Sequence, residues 1–312
     1  MLVLYLLSLI YGAGVSFRNR LYDGGIVRVR RLPVPVISVG NLSLGGSGKT
    51  SLVMFLAERL SEKFRVAVLL RGYRRRSRGV RVVSVGGEVL AGVDEAGDEA
   101  YMMARMLKSV SVVVSEDRFE GGKVAVRDLG ADLILLDDGF QHRKLYRDLD
   151  IVLIKAGDLQ DRLFPAGRLR EPLSSLRRAD AVVLSYQEVY PFELRTEKPA
   201  FRMKRSFRKV LDSDLNPRPL DILKDKEVVA FCGLGDNDQF LKTLRMVGLK
   251  VKEFKGFPDH HRYEGVKLKD TEVYITTPKD IVKLPRRENV YALYPEVEVP
   301  GLVGFIRSRL HL

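Results

Sequence analysis

The sequence predicts an α/β protein built on a large parallel β-sheet, preceded by an apolar helix and followed by a smaller α/β domain. Two observations carry this prediction. Short runs rich in Val, Ile and Leu alternate with helix-like stretches between residues 34 and 190, and they lack the strict apolar–polar alternation of half-exposed strands. A glycine-rich loop at residues 43–50 joins the first such run to a helix-like stretch. This order is typical of βαβ units, which pair their strands in parallel.

The elements of the main domain follow in order. The predicted strands are 34–39, 65–70, 110–115, 133–137, 151–154 and 181–185. Helices are predicted at 51–60, 94–108 and 117–129. Residues 80–90, with Gly86-Gly87 at their centre, predict a hairpin at the edge of the sheet.

Four segments make up the predicted domain organisation. They are an N-terminal membrane-associated helix with a basic segment (1–33), a phosphate-loop core (34–198), an extended β linker (199–219) and a smaller α/β domain (220–312). In the last of these we predict strands at 227–232, 250–254, 272–276 and 290–293 and helices at 236–247, 279–284 and 302–310.

The first 17 residues carry no charged side chain, and Arg18 and Arg20 follow directly. A secretory signal would carry its positive charges before the apolar part, so cleavage is not expected. Three interpretations stay open: an anchor lying in the membrane interface with arginines on anionic headgroups, a buried first helix of the core, and a true membrane span.

The composition narrows the classes of partner. The chain has 312 residues, enough for two domains, and carries 53 basic against 40 acidic residues, a net charge of +13. Such a charge favours an anionic partner, which is a nucleic acid, an acidic membrane surface or a phosphorylated substrate. A single cysteine, Cys232, excludes an internal disulfide.

The glycine-rich loop predicts a phosphate-binding site, since backbone N–H groups and a helix N-terminus would surround a phosphate chain. Lys49 would reach the β- and γ-phosphates of a nucleotide, and the Thr50 hydroxyl would bind Mg²⁺. Ser43 stands where the usual pattern has glycine, but three glycines remain for the tight turns. A turn that binds nothing is the alternative. The predicted nucleotide-binding residues are Ser43, Leu44, Gly45, Gly46, Ser47, Gly48, Lys49 and Thr50.

Two acidic pairs are candidates for chemistry. Asp137 and Asp138 end the apolar run at 133–137, where a parallel strand would deliver them beside the phosphate loop as Mg²⁺ ligands, direct or through water. A strand that ends in a polar turn is the alternative. Asp98 and Glu99 begin a helix-like stretch, so they are either helix-cap acids or a base and metal ligand near the γ-phosphate.

Several long motifs resemble the tetraacyldisaccharide 4′-kinases of lipid A synthesis. Two of them, DDGFQHRKLYRD at 137–148 and FPAGRLREPL at 164–173, are specific in this order and spacing. Shorter stretches agree: Gly40-Asn41, the SEDR segment that ends at Arg118, and FPDHH at 257–261. The resemblance covers essentially the whole chain.

This resemblance implies an enzyme associated with the cytoplasmic face of the bacterial inner membrane. It would use ATP and Mg²⁺ to phosphorylate the 4′-hydroxyl of a tetraacylated glucosamine disaccharide 1-phosphate, giving lipid IVA and ADP. An acylated disaccharide phospholipid would therefore be the substrate, and no nucleic acid is expected. The arginines suit a phosphorylated lipid, and the apolar N-terminus suits a substrate that stays in the membrane.

With the resemblance, the candidate residues receive roles. Asp98 would accept the proton of the sugar hydroxyl, with His260, preferred to His261 by its place in the motif, orienting or relaying it. Lys49 would neutralise charge on the transferred phosphoryl, and Asp138 would assist. Metal ligands would be Thr50, Asp137 and Glu99, and orientation of the disaccharide or closure of the site would fall to Arg118, Gln141, Arg170 and Glu171.

Two rival functions predict different activities. A phosphate-loop ATPase switch, acting at the membrane or on a partner protein, would hydrolyse ATP without making a phosphorylated lipid. A nucleic-acid-binding NTPase would bind DNA or RNA with a steep salt dependence. The sequence carries no aromatic–basic recognition module to support the second rival.

Overall fold

The computed structural model describes residues 2–311 and contains two β-sheets. The first has nine strands, and its order across the sheet is β4-β3-β5-β2-β6-β1-β7-β8-β9. Its strands are β1 (Val36–Asn41), β2 (Val66–Leu70), β3 (Arg81–Val85), β4 (Glu88–Val89), β5 (Ser111–Val114), β6 (Leu133–Asp137), β7 (Leu149–Ile154), β8 (Ala181–Leu184) and β9 (Ala200–Arg202). All pairings are parallel except those of the β3–β4 hairpin, which lies at one edge. The predicted parallel α/β sheet and its edge hairpin are therefore confirmed.

Eight α-helices accompany the sheets within the described chain. They are α1 (Leu2–Asp23), α2 (Lys49–Ser61), α3 (Val93–Ala96), α4 (Asp98–Met106), α5 (Arg118–Arg127), α6 (Asn237–Met246), α7 (Pro278–Ile281) and α8 (Leu302–Leu310). Helices α2, α4 and α8 share one core with the first sheet, while α5 packs on its opposite face. Because both faces are covered, the central strands are buried at every position, which explains their continuous apolar runs.

The second sheet has six strands in the order β11-β10-β15-β14-β12-β13. They are β10 (Lys204–Leu211), β11 (Pro217–Pro219), β12 (Glu227–Cys232), β13 (Lys250–Gly256), β14 (Val273–Thr276) and β15 (Val290–Glu298). Strands β13, β12, β14 and β15 pair in parallel, and β10 joins antiparallel to β15. A smaller α/β unit thus follows the first, and its last strand extends five residues beyond the predicted 290–293.

The predicted linker contains three strands, of which β9 belongs to the first sheet and β10 and β11 belong to the second. Strand β9 pairs in parallel with β8, and β10 pairs with β15 after the buried Met203. Helix α8 follows the last strand of the second sheet in the chain, yet its residues Leu302 and Ile306 are fully buried in the core of the first sheet. The chain therefore crosses between the two units twice, and the division at residues 198 and 219 stays a prediction.

The predicted helix at 94–108 is interrupted. Gly97 has a φ of 84°, and a Cβ there would lie 3.0 Å from the backbone oxygen of Tyr73. Only glycine combines a left-handed backbone with this close approach at low cost. The break separates α3 from α4, and it makes Asp98 the first residue of a helix instead of an interior one.

Helix α1 contacts the protein through one narrow stripe. A helix of 22 residues is about 33 Å long, and its buried residues are Ser8, Gly12, Val15 and Asn19, three or four positions apart. The apolar side chains around this stripe are mostly exposed: Leu2, Val3, Leu4, Tyr5, Leu6, Leu7, Leu9, Ile10 and Phe17. Only 17% of the apolar window is buried, which contradicts the buried-core interpretation. The helix is long and apolar enough to cross a membrane, by length and composition.

Candidate active site

A cavity of about 690 Å³ lies between the two sheets. The glycine-rich loop 43–50 forms one wall together with the ends of β2 and β6 and the start of α4. The opposite wall comes from the second unit, through residues 234–236, 259–260 and 277–279. The carboxyl ends of parallel strands at such a crevice are the usual ligand site of open α/β sheets.

The glycine-rich loop has the backbone that phosphate binding requires. Gly45 and Gly48 have φ values of 89° and 86°, in the left-handed region that glycine adopts at no steric cost. Gly48 is followed directly by α2, so the loop delivers the helix N-terminus to the cavity. Ser43 instead forms a β-bridge with Leu169 and has no left-handed backbone, so this position does not need the usual glycine.

Lys49 is held at the cavity by two partners. Its Nζ donates to Oδ1 of Asn41 at 2.9 Å and lies 3.4 Å from Oδ1 of Asp138. Arg170 grips the same Asp138 carboxylate with two nitrogens at 2.7 and 2.8 Å. Burial would raise the pKa of Asp138, but Lys49 and Arg170 outweigh burial and hold that pKa well below its usual range. Asp138 is therefore ionised beside the phosphate loop.

Asp137 and Thr50 form the candidate metal site. The Thr50 hydroxyl donates to Oδ2 of Asp137 at 3.1 Å, while the buried Oδ1 has no hydrogen-bond partner. Burial, with the nearby Glu99 carboxylate, raises the pKa of Asp137 to about 7. A free carboxylate oxygen beside a hydroxyl fits Mg²⁺, which takes one or two protein ligands and completes its shell with phosphates and water. Among residues 2–311 there is no cluster of three or more His, Cys, Asp or Glu for an all-protein metal cage.

Asp98 and His260 meet across the cavity. Nδ1 of His260 lies 2.8 and 3.0 Å from the two oxygens of Asp98, and the Tyr73 ring packs on the imidazole at a centroid distance of 4.9 Å. Burial would raise the pKa of Asp98, but the hydrogen bond and charge of His260, with Lys279 and Lys283, lower it. His260 also has a φ of 60°, and residues held in this disfavoured region cluster at functional sites.

His261 occupies a different environment from its neighbour. Its Nδ1 accepts a hydrogen bond from the backbone N–H of Tyr263 at 2.9 Å, and its ring stacks on Phe257 at 4.5 Å. It does not line the cavity, whereas His260 does. The geometry therefore favours His260 for chemistry and gives His261 a packing role.

Two of the four residues predicted to orient the substrate line the cavity, and two do not. Arg118 is almost fully buried, which lowers its pKa to about 10, and it lines the cavity together with Arg170. Gln141 donates instead to the backbone oxygen of Asn41 at 3.0 Å. Glu171 is fully buried beneath α1 and accepts hydrogen bonds from Asn19 and Arg178. This position contradicts a direct contact between Glu171 and a substrate in the cavity. Its neighbour Arg170 instead lines the cavity, where it donates to Asp138.

Three residues at or beside the cavity are not among the site residues predicted from the sequence. Lys279 is bonded to Asp259 at 2.6 Å, and although burial opposes its charge, Glu99 and Asp98 raise its pKa. Asn41 accepts hydrogen bonds from both Lys49 and Arg170, and Arg71 lines the cavity directly after β2. The signal that could have found all three is position, because each lies at or just after the carboxyl end of a parallel strand.

Part of the cavity lining is apolar. Met54 and Phe55, about one turn beyond Thr50 on α2, line the cavity opposite side chains of the second sheet. Those opposite side chains include Phe207, Leu293 and Tyr294. The lining thus combines charged side chains at the phosphate loop with apolar side chains on α2 and the second sheet.

Comparison with known proteins assigns the family. The sequence model of the tetraacyldisaccharide-1-P 4′-kinase family matches residues 1–311. A tetraacyldisaccharide 4′-kinase of Aquifex aeolicus (strain VF5) is 56% identical, covering 94% of this chain and 92% of that protein, and one of Halothermothrix orenii is 37% identical, covering 97% and 91%. The crystal structure of LpxK from Aquifex aeolicus in complex with ATP matches with a TM-score of 0.91 at 53% identity, covering 98% of each chain. This chain belongs to the tetraacyldisaccharide-1-P 4′-kinase family, which is a family of ATP-dependent kinases.

Proposed function

We propose that this chain transfers the γ-phosphate of ATP to the 4′-hydroxyl of a tetraacyldisaccharide 1-phosphate in lipid A synthesis, and that residues of the cavity between the two sheets carry out the transfer. One observation carries these assignments: the phosphate loop and the Asp98–His260 pair line the same cavity, with Asp98 on the wall of the loop and His260 on the opposite wall. Such an arrangement presents a phosphate donor to a hydroxyl that a carboxylate can deprotonate.

The phosphate loop holds ATP through backbone N–H groups and the N-terminus of α2. Lys49 and Arg118 neutralise charge that grows on the transferred phosphoryl, and Arg170 keeps Asp138 in place beside them. Thr50 and Asp137 would hold Mg²⁺, and Asp138 or Glu99 would contribute through water. Bound there, Mg²⁺ would neutralise negative charge on the phosphates of ATP.

Asp98 accepts the proton of the 4′-hydroxyl. The hydroxyl oxygen forms its bond to the γ-phosphorus while the bond from that phosphorus to the β,γ-bridging oxygen breaks, and ADP leaves. An ionised carboxylate only accepts hydrogen bonds, so His260 donates from Nδ1 and orients Asp98. His260 is thus a positioning residue for the general base.

Helix α1 attaches the protein to the membrane that contains the acceptor. The exposed apolar side chains at its first ten positions suit insertion into one leaflet, with Arg18 and Arg20 at the level of the headgroups. ATP is available on the cytoplasmic side, so the cytoplasmic face of the inner membrane is the proposed location. Peripheral attachment of this kind would leave the cavity facing water and within reach of the bilayer surface.

Transfer of labelled γ-phosphate to tetraacyldisaccharide 1-phosphate in neutral detergent micelles tests the proposal, with Lys49→Ala as the blank. A labelled lipid from the unsubstituted protein alone is the expected result. Release of inorganic phosphate without a lipid product would instead indicate the ATPase switch. Repeating the assay at a fixed ATP concentration with Mg²⁺ removed by a chelator tests whether the transfer requires the metal.

A further inference from the structure

A second cleft lies outside the active site, between the C-terminal half of α1 and the 3₁₀ turn Leu173–Arg178. Its volume is about 110 Å³, and none of its lining residues lines the catalytic cavity. The side chains that matter for binding are Ser16, Arg20, Ser174, Ser175, Arg177 and Arg178. Guanidinium groups and hydroxyls together are the donors that phosphate esters bind.

The charge around this cleft is strongly positive. Five arginines surround two carboxylates, Glu171 and Asp23, and four of the five form ion pairs with them: Arg18, Arg143, Arg177 and Arg178. The fifth, Arg20, is exposed and has no ion-pair partner among residues 2–311. The acidic side chains therefore fix the arginines in place without neutralising the cleft.

Donors at the cleft are left without acceptors. The Arg178 side chain is only 10% exposed, and its Nη2 donates to Glu171 while its buried Nη1 has no partner. A buried guanidinium nitrogen without an acceptor is costly, and an anion in the cleft would supply one. Ser174 and Ser175 line the same cleft, the first exposed and the second buried.

The position of the cleft along α1 indicates the source of the anion. Ile10 is the last residue of the exposed apolar run at the N-terminus of α1, and Ser16 and Arg20 lie about 9 and 15 Å further along the helix axis. If that apolar run lies in the hydrocarbon region, the cleft lies at the depth of the headgroup phosphates. A cleft for a soluble anion could lie anywhere on the protein surface, whereas a cleft for a lipid phosphate must lie at the depth of the headgroups.

We propose that this cleft binds the phosphate ester of a lipid headgroup, distinct from the phosphate that the enzyme transfers. Two lipids carry such a group: an anionic phospholipid of the surrounding bilayer and, if the proposed function is correct, the acceptor through its own 1-phosphate. In either case the bound phosphate holds α1 and the 173–178 turn against the membrane surface and fixes the orientation of the cavity above it.

The double variant Arg20→Ala/Arg177→Ala tests the proposal in two assays. Both side chains are exposed, so the fold should persist, which thermal unfolding checks. The control is Arg28→Ala/Arg195→Ala, which removes the same charge at exposed positions outside the cleft. A second site variant, Ser16→Ala/Ser174→Ala, removes donors without changing charge.

The first assay measures binding to vesicles of phosphatidylcholine containing about one quarter phosphatidylglycerol, without ATP or acceptor. The second measures KM for the acceptor, with and without its 1-phosphate, in neutral micelles. A several-fold loss of vesicle binding in the site variants, beyond that of the control, identifies bilayer phospholipid as the ligand. A several-fold rise of KM only for the 1-phosphorylated acceptor identifies the substrate phosphate.

Equal losses in site and control variants, or no change in either assay, would overturn the proposal. The vesicle assay remains informative if the chain lacks lipid kinase activity.

Discussion

Nδ1 of His260 lies 2.8 Å from Oδ2 of Asp98, although 162 residues separate the two in the chain. Asp98 starts a helix of the first unit, and His260 lies in a loop of the second. The same loop is held to the first unit by Arg74, which donates to the backbone oxygen of Asp259 at 3.0 Å. The pair therefore exists only while the two units are docked, which couples the arrangement of the candidate base to closure of the cavity.

Asp98→Asn should lower kcat by about 100-fold or more while leaving KM for ATP nearly unchanged. The amide keeps the shape of the carboxylate but cannot accept the hydroxyl proton. Steady-state kinetics at saturating acceptor measures the effect, and Lys49→Ala serves as the inactive reference. Turnover close to that of the unsubstituted enzyme would remove Asp98 from the role of base.

Substitutions of the two adjacent histidines should have different effects. We expect His260→Ala to lower kcat by about tenfold to 100-fold because Asp98 loses the donor that orients it. His261→Ala should instead lower the melting temperature, since it removes the stacking on Phe257, and should leave turnover per folded molecule nearly intact. A shifted pH profile in His260→Ala, absent in His261→Ala, would distinguish positioning from general destabilisation. The opposite pattern would transfer the role to His261.

Asp137 should make stability depend on pH when divalent metal is removed. Burial raises its pKa to about 7 from 3.8, so between these values the folded protein binds a proton that the unfolded chain has lost. Stability therefore falls as pH rises through this window. In a chelator, we expect Asp137→Asn to gain stability relative to the unsubstituted protein from about pH 5 to about pH 7, and no further above it. Thermal unfolding across this range measures the difference, and a pH-independent difference would contradict the prediction.

Deletion of residues 2–10 should weaken vesicle binding far more than ATP binding. This segment carries most of the exposed apolar surface of α1, whereas the contacts at Gly12, Val15 and Asn19 remain in the shortened helix. Vesicle sedimentation and ATP titration measure the two affinities. A matched variant with Leu6→Ser and Ile10→Ser keeps the helix length and should lose binding in part. Unchanged vesicle binding in the deletion would exclude α1 as the anchor.

Gly40→Ala should destabilise the protein, by about 1–3 kcal/mol. A Cβ at this position would lie 2.4 Å from Cβ of Phe140 and 2.9 Å from its backbone nitrogen, and neither atom can move freely. Gly304→Ala is the control, since its Cβ would meet nothing within 4 Å in the helix α8. Alanine there should raise stability slightly because it favours helix. Chemical denaturation measures both, and equal effects would contradict the packing argument.

Local patterns in the sequence were sufficient for much of the fold. The strand at 133–137 was predicted with its observed bounds because buried parallel strands need apolar residues at every position. The phosphate loop and the acids at the end of β6 were likewise predictable, since strand, turn and helix lie within a short stretch of chain. The break at Gly97 was missed because a single glycine in a helical pattern does not by itself show what would clash with a Cβ.

The amino-acid sequence alone is sufficient to predict the α/β class, the phosphate loop, the apolar first helix and, through its long motifs, the family. These features arise from periodicity and turn chemistry within windows of about ten to twenty residues. Three features become visible only in the folded chain: Glu171 bonds to Asn19 of α1 while Arg170 lines the cavity, His260 and not His261 contacts Asp98, and Lys279 lines the same cavity. Those outcomes depend on how two sheets dock, and the docking is set by side-chain contacts between residues far apart in the chain, which no local pattern encodes.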